Sequence, residues 1–532
     1  MKVFLNISLV LTLALLTTQA TTAQLCQMDM EHSNNDNNTP LISEVNQFPS
    51  SAQVVFGGRR HGNPRRIEHY VETFGIKKVS YPRELENHAL VRFNARKHHV
   101  DFPIPAHYTS LLTANSDPIE IMLDQLDVWS RTRDSDVVLA HFTDKQFQLF
   151  EQTMRQKGVP EGKDDWEVVE RDLQKLADED AEKIYMTAVA LKLQKINDKK
   201  EDKPKKRVDF DTWFNNYHEH TEIKDFYLQL ADDYPELISF IPSIGKTVEG
   251  KDIFAIKLTA KEKDGSIREK PQIWWQGLQH AREWAGGSTV QYLTYHFSSK
   301  YGKDKNITAL LHDTEFIIVP VMNIDGYEYT WSRNRLWRKN RRNNGLGSWG
   351  VDLNRNWDDH FGEGGSSNFP WSETYRGPHA ASEPEVQAMQ NFFSQQKRIV
   401  GAIDFHCYSQ LVLRPEGWTT APAPHEKEHK FVGDKIASII KDVHGKKYIS
   451  EPSVALYKTT GAGSDWFYGE MATKANNGQR VYSYTIELRP SDTNPGGRSG
   501  FILPPEEIIP LGEEIAKAME FFVDYVVKNP LK

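Results

Sequence analysis

His280 and Glu283 stand three positions apart in the stretch Gln276-Gly277-Leu278-Gln279-His280-Ala281-Arg282-Glu283-Trp284. Where a buried strand gives way to a helix, that spacing can aim an imidazole and a carboxylate at one cation. Zinc in hydrolases commonly takes three protein ligands and keeps a further position for water. A chain with 19 histidines contains His-x-x-Glu by accident, so the pair needs a distant third ligand. His406 closes the apolar run 399–405 and therefore emerges at a sheet edge, where active groups of open α/β sheets gather. The alternative for His406 is a buried, hydrogen-bonded core histidine. In 481–488, alternation puts Tyr482, Tyr484, Ile486 and Leu488 on one face and Ser483, Thr485 and Glu487 on the other. A carboxylate facing a cleft can act as general base; the plainer reading pairs Glu487 with Arg489.

The scaffold can be read from the same chain. Its 532 residues exceed one ordinary domain, so two folded units with tails are expected. After residue 208, strand patterns at 253–258, 272–275, 316–321, 399–405 and 482–486 are separated by helical stretches, which argues α/β with a mixed central sheet flanked by helices. Further upstream, strand patterns at 89–93, 137–142 and 166–170 alternate with helical ones at 118–129 and 143–158, describing a small α/β sandwich. A charged helical segment over 173–200 leads into Lys199-Lys200-Glu201-Asp202-Lys203-Pro204-Lys205-Lys206-Arg207. That run reads as a protease-sensitive linker or as a solvated helix end.

The N-terminus has a short positive start, an apolar run over 3–16 and a small-residue exit at Ala20 or Ala23, the pattern of a secretory signal peptide. The run is shorter than the roughly 20 residues that span a bilayer. Residues 24–65 are polar and Asn-rich, and read as disordered. Cys26 and Cys407 give no disulfide framework; Asn37-Asn38-Thr39 and Asn306-Ile307-Thr308 are glycosylation sequons if the chain is secreted. A net charge of −8 spread over 65 basic and 73 acidic residues does not describe a nucleic-acid binder.

Six motifs in order carry a resemblance: His280-x-x-Glu283, Trp337-Arg338-Lys339, Asp352-Leu353-Asn354-Arg355-Asn356-Trp357, His406-Cys407-Tyr408-Ser409-Gln410, Tyr457 ahead of Gly461 and Gly463, and Thr485-Ile486-Glu487-Leu488-Arg489. Together they resemble the pancreatic-type zinc carboxypeptidases, the A/B subfamily, from about residue 208 to the end. The region 89–170, with Leu126-Asp127-Val128-Trp129, is similar to that family's ferredoxin-like prodomain. The resemblance implies one Zn2+ per chain on His280, Glu283 and His406, with Glu487 as general base for a zinc-activated water and Arg338 on the developing oxyanion. It assigns the substrate's terminal carboxylate to Asn354, Arg355 and Tyr457. It places Arg282 and Tyr408 along the peptide further from the cut. For Arg355 and Arg338 the residues alone also permit a surface salt bridge and a solvated basic loop.

By the same resemblance Leu413, Gly417, Leu456, Thr459, Ser464 and Thr485 line the pocket for the terminal side chain. B-type relatives carry an acid where this chain has Ser464, so an apolar or aromatic terminal residue is expected. The implied organisation is a signal peptide at 1–23, a polar segment at 24–65, a prodomain at 66–172, a connecting segment at 173–207 and a catalytic domain at 208–532. A secreted, monomeric zymogen cut by an activating protease near Lys205-Lys206-Arg207 follows, acting on peptides with a free C-terminus, with no nucleic acid or membrane partner. B-type specificity and a non-catalytic peptide-binding relative are the alternatives. The chain departs from the animal enzymes in lacking their pair of bridging cysteines and in carrying Cys407 where they usually have Ser. The Gly461/Gly463 loop is expected to let Tyr457 close over substrate.

Overall fold

The computed structural model describes residues 80–103, 117–131, 136–162, 165–197, 207–262, 264–266, 268–491 and 500–532, together with Lys78. The expected signal peptide, the polar segment 24–65, the start of the expected prodomain and the basic run 198–206 lie outside the described residues. Compactness divides the chain into two units, one of Met1–Ser80 with Leu176–Tyr217, the other of Tyr81–Lys175 with His218–Lys532. In the first, Lys78 pairs with Glu182 at 2.6 Å and Asn216 Nδ2 donates to Ile184 O at 2.9 Å. The residues singled out for chemistry all lie in the second.

The upstream part of that second unit is a four-stranded antiparallel sheet with two helices. In chain order come β1 (Ala89–Asn94), α1 (Pro118–Leu123), β2 (Asp127–Arg131), β3 (Val137–Phe142), α2 (Asp144–Gln156) and β4 (Trp166–Glu170). The spatial order is β2-β3-β1-β4. Phe93, Phe142, Phe150 and Trp166 pack edge to face in its core. Thr143 caps α2 in a reciprocal box with Gln146, as a Thr before an apolar-periodic run should. The expected helical face over 118–129 is corrected here. The helix stops at Leu123, and Asp127–Arg131 pairs with β3, because a sheet edge satisfies the backbone that a longer helix would have used. The helix α3 (Leu173–Asn197) follows directly.

The larger part is an eight-stranded mixed sheet. Its strands are β5 (Ile238–Lys246), β6 (Asp252–Leu258), β7 (Gln272–Gly277), β8 (Glu315–Val319), β11 (Ile399–Cys407), β12 (Leu411–Arg414), β13 (Ile449–Pro452) and β14 (Tyr482–Leu488), with the small ribbon β9 (Asn343–Gly345) and β10 (Ser348–Trp349) outside it. The order is β13-β12-β14-β11-β7-β8-β6-β5, with β11 parallel to both β7 and β14. β7 is buried along its whole length. Trp274 meets Phe392, Phe393 and Phe467 on one face; Trp275 meets Phe297 and Phe316 on the other. A core covered on both sides explains why these strands read as nearly continuous apolar runs. Cys407 is a buried free thiol, and the segment after β10 is tied down by Ser348 Oγ to Pro370 O at 2.6 Å and Lys339 Nζ to Ser372 O at 2.9 Å.

Candidate metal centre and substrate cleft

Parallel register delivers the first residues. β11 sits between β7 and β14, with Phe405 opposite Gly277 and His406 opposite Glu487. β7 therefore hands the chain to the turn bearing His280 at the same end where β11 presents His406. Helix α4 (Trp284–Lys300) starts directly after, with Glu283 as its N-cap residue. The approach is so close that a Cβ on Gly286 would stand 2.6 Å from Phe405 O, so only glycine fits.

His280, Glu283 and His406 converge, their ligand atoms all within 4.8 Å of one another. His280 Nδ1 lies 2.8 Å from Glu283 Oε1, His406 Nδ1 2.9 Å from Glu283 Oε2, and the two Nδ1 atoms face each other at 3.1 Å. Two nitrogens each about 2.1 Å from one tetrahedral ion stand roughly 3.4 Å apart, so the cradle has the right size for zinc. The outer nitrogens fit too. His280 Nε2 is 3.0 Å from Asp352 Oδ1 and His406 Nε2 is 2.9 Å from Asp404 Oδ2. Carboxylates there hold the ring protons on Nε2 and turn the Nδ1 lone pairs inward. Burial pushes Glu283 up, but His280 and His406 more than offset it and keep the carboxylate charged. The backbone N–H of Cys407 also donates to Glu283 Oε2 at 3.2 Å.

Asp352 is a hub that the motif reading did not single out. Besides His280, its carboxylate takes Arg338 Nη2 at 2.8 Å and Arg338 Nε at 3.2 Å, and it caps the turn Leu353–Arg355 by accepting from Asn354 N at 3.0 Å. Burial alone would raise Asp352, yet Arg338, His280 and Arg355 hold it well below the usual carboxylate range. Arg338 lies 3.8 Å from Glu283, beside the metal cradle rather than in solvent. Arg355 is almost wholly buried; one nitrogen donates to Asn354 O at 2.8 Å, and its Nε finds no hydrogen-bond partner among the described residues. An interior guanidinium with an unspent donor is suited to an arriving carboxylate. Tyr457 is 40% exposed with its ring 5.9 Å from that guanidinium, where it can cover such a ligand. Asn354 Oδ1 accepts from Gly463 N at 2.8 Å.

Glu487 does not pair with Arg489, which is occupied by Glu514 at 2.9 Å and Glu507 at 2.5 Å. Burial pushes Glu487 up to about 8, with His406 and Arg338 pulling it down and Glu283 pushing it up. Ser464 is buried, its carbonyl accepting from Ser483 Oγ at 2.7 Å. Asp465 spends Oδ2 on Gly417 N at 2.7 Å, and burial pushes it up to about 8. Gly461 sits at φ +70° where an added Cβ would clash with Arg355 O, so only glycine fits, and its N–H donates to Asp359 O at 2.9 Å. Thr460 Oγ1 donates to Gly364 O at 2.6 Å and Lys458 Nζ to Glu363 O at 2.8 Å, tying the loop to the segment 363–364.

Arg282 is also buried, but engaged: Asp127 of β2 grips it with two oxygens, at 2.5 and 2.9 Å. Trp129 Nε1 donates to the same carboxylate at 3.0 Å. Phe501, absent from the motif set, stacks 3.9 Å from the Arg282 guanidinium and packs edge-on against both Trp129 and Tyr408. No local signal marks Phe501; only the folded chain brings it there. No helix among the described residues is long and apolar enough to cross a membrane.

Comparison with known proteins agrees with this geometry. Residues 223–518 match the family model described as zinc carboxypeptidase. Rat carboxypeptidase A1 is 36% identical over 319 residues, 60% of this chain and 72% of that protein. Carboxypeptidase B of the crayfish Astacus astacus is 36% identical over 317 residues, 59% of this chain and 98% of the relative. Among solved structures, carboxypeptidase A from Helicoverpa armigera superposes with a TM-score of 0.66 at 22% identity, over 84% of this chain and 99% of that one.

Proposed function

This chain belongs to the zinc carboxypeptidase family, and from that premise we propose that it is a secreted precursor whose trimmed form removes apolar or aromatic residues from the C-termini of peptides and proteins. The observation that carries the reading is Asp352, which holds the metal ligand His280 and the cation Arg338 with its carboxylate, and Arg355 through its main-chain oxygen. One residue thus spaces a hydrolytic centre from a carboxylate receptor, which is the requirement of an exopeptidase. Arg355 takes the substrate's terminal carboxylate through paired charge-assisted bonds, helped by Asn354 and Tyr457. Bound zinc supplies Lewis acidity to the scissile carbonyl and to the attacking water. The Glu487 carboxylate takes the proton of that water and passes it to the leaving amine. Arg338 stands ready for the negative charge that develops on the carbonyl oxygen, a role typically worth about 10²–10³ in rate.

The terminal side chain meets Ser464, a buried residue that carries no charge where an acid would be needed to pair a Lys or Arg. A cation there would be left without a charged partner, at a cost of several kcal/mol. A second reading, release of Lys or Arg, is favoured by one observation: Asp465 Oδ1 has no hydrogen-bond partner among the described residues. Measured kcat/KM on peptide pairs differing only in the last residue separates the two, and faster release of Arg than Phe overturns the apolar preference. Support for a precursor comes from Asp127 and Trp129, which occupy Arg282 and Phe501 at the place where the upstream part of a peptide would lie. Cleavage in the connecting segment near Lys205-Lys206-Arg207 would free them.

A further inference from the structure

Gln279, immediately before His280, is buried, lies with its Nε2 3.5 Å from His406 Nε2, and makes two directed bonds. Its Oε1 accepts from Trp357 Nε1 at 2.7 Å and its Nε2 donates to Asp404 Oδ2 at 2.8 Å. An indole N–H can only donate, so it must meet the amide oxygen, which turns the NH2 group toward Asp404. The same Oδ2 receives His406 Nε2 at 2.9 Å. The result is a one-way chain: Trp357 Nε1–H to Gln279 Oε1, Gln279 Nε2–H to Asp404 Oδ2, and His406 Nε2–H to that same oxygen. Asp404 is fully buried and its Oδ1 finds no hydrogen-bond partner among the described residues. A buried carboxylate left half-satisfied is costly unless positive charge lies close. Asp352 meets that need with Arg338, whereas Asp404 has His406.

The geometry points to Gln279 and Trp357 as positioning residues for the metal, acting through Asp404 to keep His406 in the tautomer that presents Nδ1. This rests on the zinc peptidase reading above and adds to it. Trp357 closes the segment that holds Asn354 and Arg355, its backbone N–H donates to Gly461 O at 3.1 Å, and its ring packs on Gly463. The metal ligand and the carboxylate receptor are therefore joined by a second route, independent of Asp352.

The test is zinc retention by the full chain titrated against a competing chelator, for the native protein and for Asp404→Asn, Gln279→Leu and Trp357→Phe. Outer partners of metal-bound imidazoles are typically worth about 10–100-fold in metal affinity. Asp404→Asn and Gln279→Leu are expected to weaken zinc binding by about that range. Trp357→Phe, which keeps the ring and deletes only the indole N–H, is expected to weaken it severalfold. The thermal midpoint of the metal-free proteins is read alongside. A purely structural Gln279 would lower that midpoint and leave zinc affinity intact, and that outcome overturns the inference. If Gln279→Leu does not fold, Trp357→Phe decides alone: native zinc affinity in that variant is equally fatal. Native protein that binds no zinc or trims no peptide would instead defeat the functional reading, so the two failures are distinguishable.

Discussion

Asp127→Asn in the uncut chain is the sharpest probe of the proposed closed precursor. Asp127 makes two charged bonds to an almost fully buried Arg282 and is itself nearly buried. Burial would raise its carboxyl, but Arg282 and His141 hold it far below the ordinary range, so it stays charged at any working pH. Removing one partner of such a pair costs about 2–5 kcal/mol. Asparagine keeps the shape and one acceptor, so the lower half of that range applies, about 3 kcal/mol. At 1.4 kcal/mol per tenfold, that raises the open fraction by roughly two orders of magnitude. The assay is hydrolysis of a short blocked dipeptide by the uncut chain, compared with the same protein after limited proteolysis. The native uncut chain should be nearly silent, and Asp127→Asn should recover activity about 100-fold above it without cleavage. Equal silence in both would show that closure does not depend on this pair. Full activity of the native uncut chain would show that no closure exists.

Three further outcomes are expected. Glu487→Gln should lower kcat by about 10²–10⁴ while the protein keeps its zinc, as metal analysis would show, because Glu487 is not among the three converging ligands. Arg355→Ala should cost about 10²-fold in kcat/KM on peptides with a free C-terminus and little on amidated ones, erasing the native preference between them. Asp124, which accepts from Ser367 Oγ at 3.1 Å and faces Glu120 and Arg376, is pushed up to about 6 by burial. A carboxyl raised in the docked state favours docking when protonated: the contribution is full below its ordinary value of about 3.9 and is lost as pH rises through about 6. Proteolytically nicked chain should hold its N-terminal fragment roughly tenfold tighter at pH 5 than at pH 7.5 by linkage, measured by fragment dissociation, with Asp124→Asn removing the difference.

What could be read beforehand, and what could not, divides by the range of the interaction. The His280-Glu283 spacing is local, and His406 and Glu487 announce themselves at the ends of buried strands. β2, β5, β12 and β13 were not legible. Three of them are short, and each owes its existence to a partner strand rather than to its own pattern. Asp404 carried a signal that simple alternation exposes, since residues 404 and 406 of one strand share a face. The bond from Trp357 to Gln279 spans 78 positions and left no trace in composition or periodicity. At Gly461 the sequence could not show the close approach, where an added Cβ would clash with Arg355 O, because glycine permits motion and close approach alike.

Register, more than any single contact, assembles the centre. β11 and β14 run parallel with Asp404 opposite Thr485 and His406 opposite Glu487, so one sheet face carries an imidazole, its supporting acid and a prospective proton acceptor side by side. A one-residue slip of β11 would send Asp404 and His406 to the opposite face, toward Phe522 and the helix Ile508–Lys528. The opposite face prevents it. Gly401 has no room for a Cβ, which would stand 2.7 Å from the Phe522 ring, and Tyr484 packs on that same ring. Aromatic packing on the far face therefore selects the register, and the register sets His406 opposite Glu487.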